Sequence, residues 1–405
     1  MNASTAPDIP IILFGAFDRH NFGDLLFPHV LAALRGRDRL VFAGLAERDL
    51  RPFGGHQVHA LASLASQWRD RRVHIVHAGG ELLACDAWEA AVMLLPPEQA
   101  AAAIARFEAH PGGRNAWAQQ MLGLAARAPY TVPRALFPHA AGILYNAVGG
   151  MDLDARDPAL RDEVMVRLRE ADAVGVRDTL TRAQLAAAGI DCLLLPDSAM
   201  MVAALFGDRI RGHAMAGEVA HLVRTCPDGY LAVQFSVEFG DDSTIDAIAA
   251  QLDLVTAATG CAVVFFRAGA APWHDDLSCY IRTAARMRAG SAHVFASLDI
   301  WDICALIAAS SAYIGSSLHG RIVAMAFALP RVNLHPPWHV RGPTKASAYA
   351  ATWEVPGTPA SVGVQDVAGG VRQAMAADRN TLARTAARLA EAYRQGFASL
   401  FAHLA

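Results

Sequence analysis

Short unbroken apolar runs that stop at glycine or at a polar residue, each followed by helical periodicity, recur along this chain of 405 residues. Residues 9–16 are the first: the run ends at Gly15-Ala16, a polar turn covers 17–24, and helical spacing of apolar residues follows over 25–34. A run that is apolar on both faces reads as a strand buried in a parallel sheet, and parallel strands need crossover helices to return the chain. Residues 72–78 lead into Gly79-Gly80, and 142–148 into Gly149-Gly150. Residues 173–176 lead into Arg177-Asp178, with an Ala-rich helix over 181–188, and 192–195 into Pro196-Asp197. The pattern predicts a doubly wound α/β sheet, whose ligands lie at the carboxyl ends of the strands.

The stretch 206–228 is more polar and carries Gly207, Gly212, Gly217 and Pro227, which predicts a link between domains. The theme then restarts, with strands expected over 230–235, 261–266, 293–296, 312–314 and 331–334, and helices over 243–259, 277–289, 300–310 and 320–328. Residues 366–404 have a helical pattern, Arg and Glu interleaved among Ala and Leu. The expected division is an N-terminal α/β domain over 1–205, a link over 206–228, a C-terminal α/β domain over 229–365 and a helical tail over 366–405. Two Rossmann-like, doubly wound domains facing a cleft describe a bilobed enzyme. Residues 82–130 carry no interpretable motif.

At 54% hydrophobic and 18% charged, the chain holds enough apolar material for two cores, which excludes a disordered protein. Lys plus Arg is 35 against Asp plus Glu 38, without the cationic surplus of a dedicated nucleic-acid binder. Among those basic residues only Lys345 is a lysine. No stretch reaches the roughly 18 consecutive apolar residues of a membrane span, and no basic residue precedes the first apolar run as in a signal peptide. The six cysteines are scattered without a CxxC pair, so neither a disulfide framework nor a zinc site is expected. The expectation is a cytoplasmic protein.

Five segments carry chemistry. In Gly15-Ala16-Phe17-Asp18-Arg19-His20-Asn21-Phe22-Gly23-Asp24, glycines and free N–H groups at a helix start suit a polar or anionic ligand, while Asp24 reads equally as a helix cap. The glycine spacing and the lysine of known phosphate loops are absent. Gly79-Gly80-Glu81 reads either as a close backbone approach to ligand, with Glu81 a candidate base, or as a tight turn. Arg177-Asp178 places a guanidinium where it can clamp a carboxylate or phosphate, or else a pair that caps the next helix; Pro196-Asp197-Ser198 repeats this more weakly.

The sharpest segment is Tyr313-Ile314-Gly315-Ser316-Ser317-Leu318-His319-Gly320-Arg321. Two hydroxyls, helix N–H groups and a His at one helix start form a site for an anion with a proton donor attached. Residues 271–276, with Trp273 and His274, face the expected cleft but read as a solvated loop. His335, Trp338, His339 and Arg341, just before Lys345, offer an anion pocket; Pro336 and Pro337 forbid the helix that a metal-binding His pair would need.

Taken in order, the Gly15 to Asp24 turn, Gly79-Gly80, Val176-Arg177-Asp178, Pro196-Asp197 and Ser316-Ser317-Leu318-His319-Gly320 resemble the polysaccharide pyruvyl transferase family over roughly residues 9–350. The resemblance implies a glycosyltransferase-B-like fold and transfer of a pyruvyl group from phosphoenolpyruvate to a sugar of a cell-surface or exported polysaccharide, as a ketal. It makes His319, Arg177 and Asp24 the catalytic set, and Ser316, Ser317, Gly320, Arg321 and Lys345 the donor side. Asn21, Gly23, Gly79, Gly80 and Glu81 fall on the acceptor side. Phosphoenolpyruvate and a saccharide, free or lipid-linked, are the implied partners, with no metal or other cofactor, at the inner face of the membrane or free in the cytoplasm. One departure stands out: members of this family often carry Arg two residues before the final His, where this chain has Ser317. Nucleotide-sugar-dependent glycosyl transfer on the same architecture, or a non-catalytic binding role, is the alternative.

Overall fold

The computed structural model describes residues 9–36, 39–110, 112–288, 290–336 and 342–404. Eight strands form the first sheet: β1 (Ile11–Phe14), β2 (Leu40–Gly44), β3 (Arg48–Asp49), β4 (Gln57–Ala60), β5 (Val73–His77), β6 (Ala140–Val148), β7 (Ala173–Val176) and β8 (Leu193–Leu194). Their order is β3-β4-β2-β1-β5-β6-β7-β8, parallel throughout except where β3 meets β4. The second sheet holds β9 (Tyr230–Gln234), β10 (Ala262–Phe265), β11 (Ala292–Val294), β12 (Ala312–Gly315) and β13 (Arg331–Asn333). These are all parallel, in the order β11-β10-β9-β12-β13.

Both sheets are wound outward from their first strand. The winding reverses between β1 and β5 in one and between β9 and β12 in the other, which opens a crevice at the carboxyl ends of those strands. Every residue of β1 and of β9 is buried, as strands covered by helices on both faces require. Strands β2 to β4 were not expected because they are short, lie toward one edge and expose part of their length, which dilutes the apolar signal.

Residues 206–228, expected as the link between domains, lie mostly in the helices Val202–Ala214 and Gly217–Thr225. The first of these is tied to the helix Ile300–Ala308, with His213 Nδ1 2.7 Å from Asp302 Oδ1. The glycines in this stretch sit within or at the start of helices that packing supports. The expected helical tail packs on the rest of the chain. Its helix Arg379–Phe401 crosses back to the first sheet, where the Tyr393 hydroxyl and the Asn146 side chain are bonded at 3.1 Å and Gly396 packs on Leu195. The motif-free region forms helices Ala87–Met93, Pro97–Ala109 and Arg114–Leu122, joined by the rings of Trp88, Phe107 and Trp117.

Candidate active site

The turn after β1 meets the loop after β10 directly. Phe22 N–H donates to Ala268 O at 2.8 Å, Ala270 N–H donates to His20 O at 3.1 Å, and Asn21 and Gly269 form an antiparallel bridge. Asn21 caps the helix Phe22–Arg35 by accepting from Gly23 N–H at 3.2 Å, so the helix begins before its apolar periodicity does. Asn21 and Gly23 thus build the seam between the sheets, where an acceptor-binding role was expected. Asp24 is not the cap. Its carboxylate is buried and its nearest cation in the first domain, Arg19, stands 4.0 Å away. Burial raises the Asp24 carboxyl above its ordinary value, against the lowering effect of His319, Arg19 and Arg177.

His319 comes from the other side of the seam, in the first turn of the helix Leu318–Ala326. Its side chain packs against Gly23, where any Cβ would overlap it, and its ring is edge-to-face with Phe27 at 5.2 Å. Nε2 stands 3.7 Å from Asp197 Oδ2, an ion-pair distance too long for a hydrogen bond, and has no hydrogen-bond partner among the described residues. Burial pushes the Asp197 carboxyl up, but His319 and Arg177 outweigh it and hold the group below its ordinary value. The buried imidazole thus faces the Asp197 carboxylate through Nε2 itself, across a gap wider than a hydrogen bond.

Arg177 sits behind this pair. It donates through Nη1 to Asp197 at 3.0 Å and through Nη2 to Glu81 at 2.6 Å, and its side chain is 3% exposed. Two carboxylates therefore engage the guanidinium that was expected to clamp the donor. Asp178 behaves as a helix cap, accepting from Thr181 N–H at 2.7 Å. Glu81 also accepts from Met151 N–H at 2.8 Å, so both its oxygens are engaged and a role as free base is set aside. Gly79 and Gly80 have φ of 128° and 94°, conformations that side chains rarely adopt, and the turn they make brings Gly80 against the Asp24 carboxylate.

The donor-side set is divided. Ser316 Oγ accepts from Ser236 N–H at 3.0 Å, and Ser317 caps its helix through Gly320 N–H at 3.2 Å. Gly320 packs on the Tyr313 ring, where a side chain would collide. Arg321 is fully buried away from the cleft: it donates to Glu354 at 2.6 Å, to Asn333 at 3.0 Å and to the carbonyls of Pro359 and Ala360, while Arg331 grips the same Glu354. It is a brace of the second domain, and its expected contact with phosphate is withdrawn. Burial lowers it to about 10 despite the Glu354 charge. Lys345 begins the helix Lys345–Trp353, is exposed, and acts on Glu81 and His274 across the cleft. His335 lines an open depression with Gln251, Gly363 and Gln373 that shares no residue with the cleft. Trp338, His339 and Arg341 lie outside the described residues.

Two cleft residues escaped selection. Arg19 was within the first turn but masked by its neighbours, the glycines and Asp24. His274, in the segment read as a solvated loop, presents a buried Nε2 to the cleft without a partner. An Arg or His in a loop directly after a parallel strand was the available signal for both.

The fold is shared with solved sugar-nucleotide enzymes of the glycosyltransferase-B type. The UDP-GlcNAc 2-epimerase from Methanocaldococcus jannaschii is similar at a TM-score of 0.53 with 10% identity, covering 92% of this chain and 94% of that chain. The enzyme from Neisseria meningitidis, solved bound to UDP-GlcNAc, is similar at 0.53 with 12% identity over 95% of this chain and 94% of that chain. The epimerase from Rickettsia bellii is similar at 0.54 with 10% identity over 96% of each. None of the curated proteins matches the chain. The model of the polysaccharide pyruvyl transferase family matches residues 131–334, half of the chain, from the middle of the first domain through β13. The matched half takes in Arg177, Asp197 and His319, and the chain belongs to the polysaccharide pyruvyl transferase family, a family of transferases.

Proposed function

We propose that the protein transfers a pyruvyl group from phosphoenolpyruvate to two hydroxyls of a saccharide, forming a pyruvate ketal on a cell-surface or exported polysaccharide. The observation that carries this reading is the pairing of His319 and Asp24 across the seam. The first is a buried imidazole whose Nε2 makes no hydrogen bond among the described residues and faces the Asp197 carboxylate at 3.7 Å; the second is a carboxyl whose proton affinity burial has raised. The reaction needs one acid and one base of that kind.

In this reading His319 protonates the methylene carbon of the donor. A sugar hydroxyl adds to the adjacent carbon as its proton passes to Asp24. The bond from that carbon to the phosphate oxygen then breaks, its electrons leaving with phosphate, and a second hydroxyl closes the ring. Of the two hydroxyl protons consumed, one is made good on the methyl carbon and the other leaves with phosphate. Asp197 stabilises the imidazolium, and Arg177 fixes Asp197 and Glu81 in place.

A second reading, nucleotide-sugar-dependent transfer, is favoured by Ser317 standing where the family often has Arg. Thermal unfolding with each ligand in turn separates the two. Stabilisation by phosphoenolpyruvate supports pyruvyl transfer. Stabilisation by a UDP or GDP sugar alone supports the second reading and removes the first.

A further inference from the structure

The donor carries a phosphate and a carboxylate, yet the two arginines expected to meet them are engaged elsewhere: Arg177 by Glu81 and Asp197, Arg321 by Glu354. Ser317 adds no charge. The cations that hold the donor must therefore come from other elements.

Among the described residues, the buried side-chain nitrogens that make no hydrogen bond include four at the seam: Arg19 Nε, Arg267 Nε, His274 Nε2 and His319 Nε2. Native proteins rarely leave such atoms unpaired, and a group of them along one seam is accounted for by a ligand that accepts hydrogen bonds. Arg19 is 10% exposed, and its two carboxylate neighbours, Asp18 at 3.8 Å and Asp24 at 4.0 Å, both lie beyond hydrogen-bond distance. Asp18 Oδ2 accepts from Leu45 N–H at 2.6 Å and Ala46 N–H at 3.1 Å while its Oδ1 accepts from the Tyr130 hydroxyl at 3.5 Å, and burial raises its carboxyl, which weakens it as a counter-ion. Arg19 also donates to the Tyr130 hydroxyl, which anchors the guanidinium and leaves Nε for a ligand.

His274 is brought to Arg19 by the seam itself. Its loop is fixed by Val237 N–H donating to His274 O at 2.8 Å, by Asp275 accepting from Gln234 at 2.7 Å, and by the Asn21 to Gly269 bridge. Trp273, the preceding residue, is held at φ 64°, a conformation unfavourable for a bulky side chain and one that accumulates at functional sites. Burial first, then the charges of Arg19, Lys345, His20 and His319, drive the His274 imidazole down to about 3. The positive groups that act on His274 are the ones an anion bound beside it would meet.

We propose that Arg19 and His274, with Lys345 at the rim, form the pocket for the anionic groups of the donor, replacing the arginine that this chain lacks at position 317. The assignment rests on the donor reading above for the identity of the anion. Arg19 makes a charged hydrogen bond to it from the first domain and His274 from the second, so donor binding joins the two halves of the protein around His319.

The test is calorimetric titration of the full chain with phosphoenolpyruvate and, separately, with inorganic phosphate, for the wild type, Arg19→Gln, Arg19→Lys and His274→Gln. A charged hydrogen bond is worth about 1.5–3 kcal/mol, so Arg19→Gln should weaken phosphoenolpyruvate about tenfold or more, with partial recovery in Arg19→Lys and a loss of about tenfold in His274→Gln. If Arg19→Gln does not fold, the other two variants carry the comparison. Phosphoenolpyruvate bound with unchanged affinity by folded variants overturns the pocket and leaves the donor reading standing. Inorganic phosphate bound through Arg19 while phosphoenolpyruvate is not bound keeps the pocket and removes the donor reading. A wild type that binds neither overturns the pocket.

Discussion

The imidazole of His319, carried by the second domain, rests on the α-carbon of Gly23 in the first, so closely that no other residue at position 23 would leave the ring in place. That contact sets the distance between His319 and the neighbouring Asp24. Gly23→Ala inserts a methyl group into the seam, at a cost of about 1–3 kcal/mol for overpacking. Because it displaces His319, turnover should drop about 100-fold, and the two effects are read by thermal unfolding and by kcat.

His319→Ala should remove about 10²–10⁴ of turnover, the usual contribution of a positioned acid or base. The fold should survive, since Nε2 has no hydrogen bond to lose among the described residues, but loss of the ring packed on Gly23 and Phe27 should lower the melting temperature by a few degrees. Full activity in a folded His319→Ala protein would take His319 out of the chemistry.

Asp24→Asn should separate function from stability. Burial raises the Asp24 carboxyl above its ordinary 3.8, so folding retains a proton that the unfolded chain gives up sooner. The stability contributed by this group is complete below pH 3.8 and is lost as pH rises through the folded value. The asparagine escapes that loss. It should melt higher than the wild type at pH 7, with the advantage disappearing in acid, while turnover falls and the acid limb of the kcat/KM profile vanishes.

Arg177 and Arg321 are distinguished by what their loss disturbs. Arg177→Lys cannot reach both Asp197 and Glu81, so the carboxylate behind His319 shifts; kcat should fall about 100-fold with a smaller change in the donor KM. Arg321→Met breaks a buried ion pair remote from the cleft and should cost about 3–5 kcal/mol. Arg321→Lys, which keeps the charge, should leave the donor KM unchanged. A raised donor KM in Arg321→Lys would return Arg321 to the site.

The sheets were legible because β1, β5, β9 and β12 are buried on both sides and must read as continuous apolar runs, each ending where a ligand can approach. Helix starts were placed late at Phe22 and Leu318, because Asn21 and Ser317 cap them ahead of the periodic residues. Partnership across the chain was invisible. Arg177 looked available since its partners Glu81 and Asp197 lie 96 and 20 residues away, and Arg321 since Glu354 lies 33 residues on. His274 looked solvated because only the tertiary bridge between Asn21 and Gly269 carries its loop into the cleft. The last helix was legible as a helix, but its return to Asn146 through Tyr393 was not.

The central claim is tested most directly by incubating the full chain with phosphoenolpyruvate and a set of saccharide diols, and following inorganic phosphate and the ketal methyl resonance in the same sample. The account predicts phosphate and ketal in equal amounts, only when an acceptor is present, and neither with His319→Ala. Phosphate without ketal, or turnover of a UDP or GDP sugar with none of phosphoenolpyruvate, would contradict it.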